Sequence, residues 1–179
     1  MAKVTIPPTG LWSAISGILN AMFDEMYGRT GWAAYVDTQY TIGAKFTVAA
    51  NTDTNLPNNA GTTIETQKPT DVTSFYADGK IVGRNGDGLA MQLFFYATPT
   101  GVDQFIDIWI DIGSGVKIYP QTFSFPKGAG QARGIMYTLP AAYTLVTWQA
   151  NGGTIKVRSN ASCTVYGMTY NFSRNSKAR

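Results

Sequence analysis

Residues 102–112 alternate in polarity with a period of two. Val102, Gln104, Ile106, Ile108, Ile110 and Ile112 fall on one face, and Asp103, Phe105, Asp107, Trp109 and Asp111 on the other. Successive side chains of a strand point to opposite sides. Four isoleucines in a row on one face therefore demand an apolar layer opposite them, while the aspartates keep the other face in water. A chain that carries such a strand must build at least a second sheet or a layer of helices to cover it.

The rest of the chain supplies strands rather than helices for that layer. Strand patterns run over 45–48, 62–66, 89–98, 116–119, 121–125, 135–139, 143–150, 154–158 and 163–172. Turn signals separate them: Asp78-Gly79, Asn85-Gly86-Asp87-Gly88, Thr98-Pro99-Thr100-Gly101 and the hairpin triplet Asn151-Gly152-Gly153. Short strands at this spacing predict a mainly β protein, a jelly-roll-like antiparallel β-sandwich. No internal repeat points to a propeller or solenoid.

Only the N-terminal region breaks the two-residue period. Trp12, Ile15, Leu19, Met22 and Met26 are spaced three and four apart, an a/d seam over two heptads, with Leu11, Ile18, Phe23 and Tyr27 beside it. Thr9 is a candidate N-cap, and Gly28 and Gly31 follow as stops. The spacing predicts one helix over about 10–27. A helix this short is marginal in water unless its apolar side finds a partner. We expect that partner to be other copies of the chain, so Trp12, Ile15, Leu19, Met22 and Met26 are the expected anchoring and oligomerisation residues. The expected organisation is an arm and helix over 1–31, a β-sandwich over 32–173 and a basic tail over 174–179. The tail is expected to be a solvated terminus.

The chain of 179 residues contains no histidine and one cysteine, Cys163. Ser-His-Asp and Cys-His nucleophiles, histidine-containing zinc sites and an intrachain disulfide framework are excluded within one chain. Charged residues make up 14%, against roughly 25% in ordinary soluble domains, so the surface must be built largely from Thr, Ser, Asn, Gln and Gly. The net charge of +3 comes without a basic cluster or interleaved aromatics, so a nucleic-acid partner is not expected. No apolar run is long enough to span a bilayer and no signal peptide opens the chain, so synthesis in a cytoplasm and no membrane partner are expected.

No constellation of catalytic or metal-ligating residues emerges. Asp103, Asp107 and Asp111 would lie about 13 Å apart along a strand, too far for one ion. Asn51-Thr52-Asp53-Thr54-Asn55 lacks the glycine and the terminal glutamate of a calcium loop. Gly113-Ser114-Gly115 lacks the lysine and helix of a phosphate cradle. Cys163 reads as a buried structural thiol. No cofactor and no metal are expected. The remaining binding candidates are the aromatics: Phe105 and Trp109 on the outward face, with Trp32 and Tyr35, could form a sugar-stacking platform. Aromatics on strands more commonly fill cores and subunit contacts.

Asn20-Ala21-Met22-Phe23-Asp24-Glu25-Met26-Tyr27 resembles an Asn-Ala-Asn-Phe-x-Glu-Leu-Tyr motif of some tailed-bacteriophage virion proteins, and Gly31-Trp32 and Tyr35-Val36-Asp37-Thr38-Gln39-Tyr40-Thr41 resemble the segment after it. The match covers residues 18–41. Met22 stands where the motif has asparagine, and its place in the a/d seam favours burial between chains. The resemblance implies a non-enzymatic virion component with a short N-terminal helix before a β domain: a capsid decoration protein, a head fibre or a tail-fibre element. It also implies a homotrimer whose partners are other virion proteins, such as capsid or tail proteins. A tail-fibre tip recognising a host surface glycan is the alternative on the same scaffold.

Overall fold

A computed structural model describes residues 12–126 and 128–178. The expected arm, Thr9 and Leu11 lie outside the described residues. Helix α1 (Trp12–Gly28) precedes twelve strands: β1 (Gly31–Val36), β2 (Phe46–Val48), β3 (Thr54–Asn55), β4 (Thr62–Ile64), β5 (Tyr76–Ala77), β6 (Lys80–Ile81), β7 (Gly88–Pro99), β8 (Phe105–Asp111), β9 (Ile118–Ser124), β10 (Arg133–Tyr143), β11 (Thr154–Ser159) and β12 (Cys163–Ser176). A second helix, α2 (Val146–Asn151), lies between β10 and β11.

The strands form the two sheets of a sandwich and one small hairpin. The larger sheet runs β10-β7-β12-β1-β4, with β2 also paired to β12; the smaller runs β3-β11-β8-β9. Every named strand pair is antiparallel. Asp78 and Gly79 both take positive φ, at 52° and 76°. That is the backbone a two-residue hairpin needs, and it joins β5 to β6 as the Asp-Gly signal predicts.

The core fills the gap between the sheets. Ile106, Ile108 and Ile110 of β8 are wholly buried, facing Leu93, Phe95, Tyr137, Val165 and Tyr170 of the larger sheet within one apolar cluster. Each such side chain contributes about 1.5–3 kcal/mol by leaving water. The alternation in 102–112 thus does what its period requires, but over a shorter span. Asp103 takes a positive φ of 51° and Val102 is exposed, so the strand begins at Phe105. Gln104, expected among the core positions, is buried as a staple. Its amide donates to Ser159 Oγ at 3.0 Å and the Ala161 carbonyl at 2.7 Å, and accepts from the Thr100 and Gly101 N–H groups.

Three local expectations change. The strand expected over 143–150 is instead the end of β10 followed by α2. Thr144 is fully buried and its hydroxyl donates to the backbone carbonyls of Arg84 and Asp87. Trp148 is buried, with its indole N–H on the Ile81 carbonyl at 3.2 Å. Six residues are too few for a helical period to stand out. Consequently Asn151-Gly152-Gly153 does not make a hairpin; Gly152, at φ 71°, closes α2 through its N–H on the Trp148 carbonyl at 2.7 Å. The two strands expected over 116–125 are the single strand β9.

The third change concerns the expected basic tail. β12 continues to Ser176, and Arg174 is among the largest fully buried side chains of the molecule. Its partners, described below, come from segments distant in sequence.

Candidate functional site: the N-terminal helix and its anchor

Only Arg29 and Thr30 separate α1 from β1, and the crossing is tight. A Cβ at Gly31 would collide with the Gln67 carbonyl and the Pro69 ring, while the Trp32 N–H donates to the same carbonyl at 3.0 Å. Glycine at this position therefore lets the chain pass from helix to sheet against the 65–70 turn.

Arg174 holds the end of the helix. Its Nε donates to the Arg29 carbonyl and its Nη2 to the Gly28 carbonyl, both at 2.7 Å. A helix leaves its last carbonyls unpaired, and a cation there also meets the negative end of the helix dipole. The same guanidinium donates to Asp71 Oδ1 at 2.6 Å, Asp71 Oδ2 at 3.2 Å and Asp87 Oδ2 at 3.3 Å. Its donors are thus spent on five acceptors, which is what permits a charge to be fully buried. Arg84 and Lys177 join the two carboxylates from the rim, and the Ala178 N–H donates to Asp87 Oδ1 at 2.8 Å. Hydrogen bonds from Arg174 hold the Asp71 carboxyl well below the usual carboxylate range. The knot joins the helix end, the middle of the chain and the last strand.

The body of the helix turns an apolar row away from the sandwich. Ile15 is 44% exposed, Ile18 62% and Met22 61%, with Leu19 half-buried between them. None of them belongs to the sandwich core. Leu19, Met22, Phe23, Glu25 and Arg29 line a shallow groove of about 350 Å³. Arg29 pairs with Glu25 one turn back and holds its carboxyl below the ordinary value. Of the five expected anchoring residues, Ile15, Leu19 and Met22 lie along one side of α1; the side chains of Trp12 and Met26 lie outside the described residues.

The expected aromatic platform is not brought together. Trp32 and Tyr35 sit on β1 of the larger sheet and point to opposite faces; Trp32 is exposed, while Tyr35 is in the core. Its hydroxyl donates to Glu65 Oε1 at 2.5 Å and accepts from the Phe75 N–H at 2.8 Å, and burial raises its pKa. Phe105 and Trp109 belong to β8 of the other sheet. Phe105 is half-buried, and Trp109 is only 3% exposed, with the Lys117 ammonium 4.0 Å from its ring centroid. The outward parity of Trp109 is as the sequence predicts, but the ring is buried with the Lys117 side chain over it. Cys163 is buried and its thiol is pushed up to about 11 by desolvation, so it is protonated and inert at neutral pH.

Sequence reasoning missed a different aromatic group. Phe94 and Tyr96 of β7 meet edge to face at 5.1 Å, and Tyr96 stacks on Tyr166 of β12 at 5.2 Å. All lie on the outer side of the larger sheet. Because β7 is apolar at almost every position, only Gln92 and Thr98, which share the parity of Phe94 and Tyr96, mark its outer side.

Among the described residues, no helix is long and apolar enough to cross a membrane. No protein-family model matches the chain, and no curated protein matches it. Solved structures do overlay on it. Eiger TNF from S. frugiperda has a TM-score of 0.50 at 8% identity, over 84% of this chain and 96% of that one. PRD1 vertex protein P5 has a TM-score of 0.44 at 12% identity, over 84% and 99%. Dimeric latent PorU from Porphyromonas gingivalis has a TM-score of 0.41 at 12% identity, over 82% of this chain and 12% of that one. At such identities the TNF overlay speaks for the fold alone, and the fold is a mainly β, antiparallel, jelly-roll-like sandwich entered from an N-terminal helix.

Proposed function

We propose that the chain is a non-enzymatic structural subunit of a bacteriophage particle, a capsid decoration or head-fibre subunit. Its N-terminal helix anchors it and associates with the helices of other copies as a homotrimer, and its sandwich faces outward. The observation that carries this reading is the exposed apolar row Ile15, Ile18 and Met22 on a helix whose C-terminal end is tied down by a buried arginine. A helix kept only for its own domain would turn such a row inward. The local resemblance of residues 18–41 to tailed-phage virion proteins supplies the particle and the trimer. The glycan-binding alternative loses its support from Trp109, whose ring is covered.

The test is the double variant Leu19→Asp with Met22→Asp, examined by light scattering and by incorporation into particles. We expect a lower mass and loss of incorporation. Wild-type mass together with wild-type incorporation would overturn the anchoring role. A glycan array should be blank, and reproducible binding to one glycan class would favour a receptor-binding tip instead.

A further inference from the structure

The outer side of the larger sheet is a continuous uncharged surface. Opposite one another across β10, β7 and β12 lie Met136, Phe94 and Thr169, then Gly134, Tyr96 and Tyr166. Trp32 of β1 continues the surface, being paired with Ser173 of β12. No Asp, Glu, Lys or Arg stands at an outward paired position of β10, β7, β12 or β1. At the rim, the Lys45 ammonium lies over the Tyr166 ring, 5.4 Å from its centroid. Several of the large side chains remain open to solvent: Met136 is 51% exposed, Trp32 44% and Tyr96 40%.

We infer that this face is a contact surface between copies of the chain, and that its occupant is a second copy. This goes beyond the particle-subunit reading and rests on it only for the chain's self-association: a face that meets its own copy makes a two-fold contact, which would join helix-linked trimers to one another. Two observations select the occupant. One is size. Strands of 11, 12 and 14 residues with the shorter β1 make a face of roughly 700 Å² at about 3.3 Å per residue and 4.8 Å between strands. A stable specific interface needs about 800 Å² from each partner, so two such faces approach it without help from another surface. The other is charge. An uncharged aromatic face meets its own copy without burying any ionic group or bringing like charges together. A basic or acidic partner would find nothing here to pair with. Exposed Trp, Tyr and Met are the side chains enriched at the centres of interfaces.

The experiment uses the full chain and two separate variants: Tyr96→Glu with Met136→Glu on the sheet face, and Leu19→Asp with Met22→Asp on the helix. Mass is followed by light scattering and by sedimentation over a dilution series. The sheet-face variant should weaken self-association by on the order of tenfold or more while its monomer melts as the wild type does. Radical footprinting of the unmodified protein provides a readout that does not depend on a variant folding. Met136, Tyr96 and Trp32 should be protected at high concentration and become reactive on dilution. If the sheet-face variant keeps the wild-type mass and Met136 stays equally reactive throughout, the inference is overturned. Dissociation by the helix variant alone would then leave the helix reading standing. Dissociation by the sheet-face variant alone would uphold the inference and overturn the helix reading. A wild-type chain that is monomeric at every concentration overturns both.

Discussion

The two sheets of the sandwich share one core but present opposite surfaces. Outward from the smaller sheet stand Asp107, Asp111, Lys156 and Arg158, and they are paired. Lys156 reaches Asp111 at 3.2 Å, Arg158 reaches Asp53 at 3.5 Å, and the Thr122 hydroxyl donates to Asp107 at 2.6 Å. Outward from the larger sheet stand Tyr96, Met136, Phe94 and Trp32, with no charge among the outward paired positions of β10, β7, β12 and β1. With only 14% charged residues, the chain does not spread its charge evenly. It sets charges outward on the smaller sheet and none at the outward paired positions of β10, β7, β12 and β1. A face with charges resists sheet-to-sheet association, and one without them permits it.

The largest effect should come from charge that is buried rather than displayed. Arg174→Met removes the buried cation from between Asp71 and Asp87, leaves them only Arg84 and Lys177 at the rim, and frees the helix end. We expect a loss of about 3–5 kcal/mol, the usual cost of removing one partner from a buried ionic group. Urea unfolding measures it, and a loss under 1 kcal/mol would show that the knot contributes little. Next is the one aromatic that the charged face conceals. Trp109→Ala should cost about 3 kcal/mol as a large buried side chain, whereas Tyr96→Ala should change the monomer by less than about 1 kcal/mol. Equal effects in thermal or urea unfolding would erase the distinction between the two faces.

Acid should separate the faces further. The Asp71 carboxyl is held low by Arg174, and that of Asp111 by the Gly113 N–H and Lys156. A depressed carboxylate stabilises the fold above its unfolded value, near 3.9, and this contribution disappears as pH falls through the lower folded value. Unfolding free energy should therefore hold steady down to about pH 5 and fall below about pH 4. Self-association through the uncharged face contains no such group, so its dissociation constant should be flat from pH 7 to 5 and should not rise with salt. A dissociation constant that rises steeply with salt would place ion pairs in the contact. The smallest expected effect is Asp53→Asn. Its pair with Arg158 is solvent-exposed, so stability should change by no more than about 1 kcal/mol.

How much of this was legible beforehand differs between elements. The period of β8 and the Asp78-Gly79 hairpin were readable because both are local: alternation needs only neighbouring residues, and a two-residue turn needs only its own backbone angles. Helix α1 was equally plain from its three-and-four spacing. α2 was not, since Trp148 and Thr144 are held by Ile81, Arg84 and Asp87, more than 50 residues away in the chain. The aromatic platform failed for a related reason. Parity states which side of a strand Trp109 faces, but the cover over that side comes from Lys117 on a later loop.

What the sequence by itself determined is the set of elements that repeat locally: a β-sandwich with a buried isoleucine face, entered from a helix with an apolar row. Only the tertiary structure decided what covers what. It buried Arg174, which reads in the chain as the first residue of a basic tail, because five acceptors from residues 28, 29, 71 and 87 converge on that one position of β12. It also decided which aromatics of β7 face outward, because a strand apolar on both sides acquires an inside and an outside only when a second sheet packs against one of them.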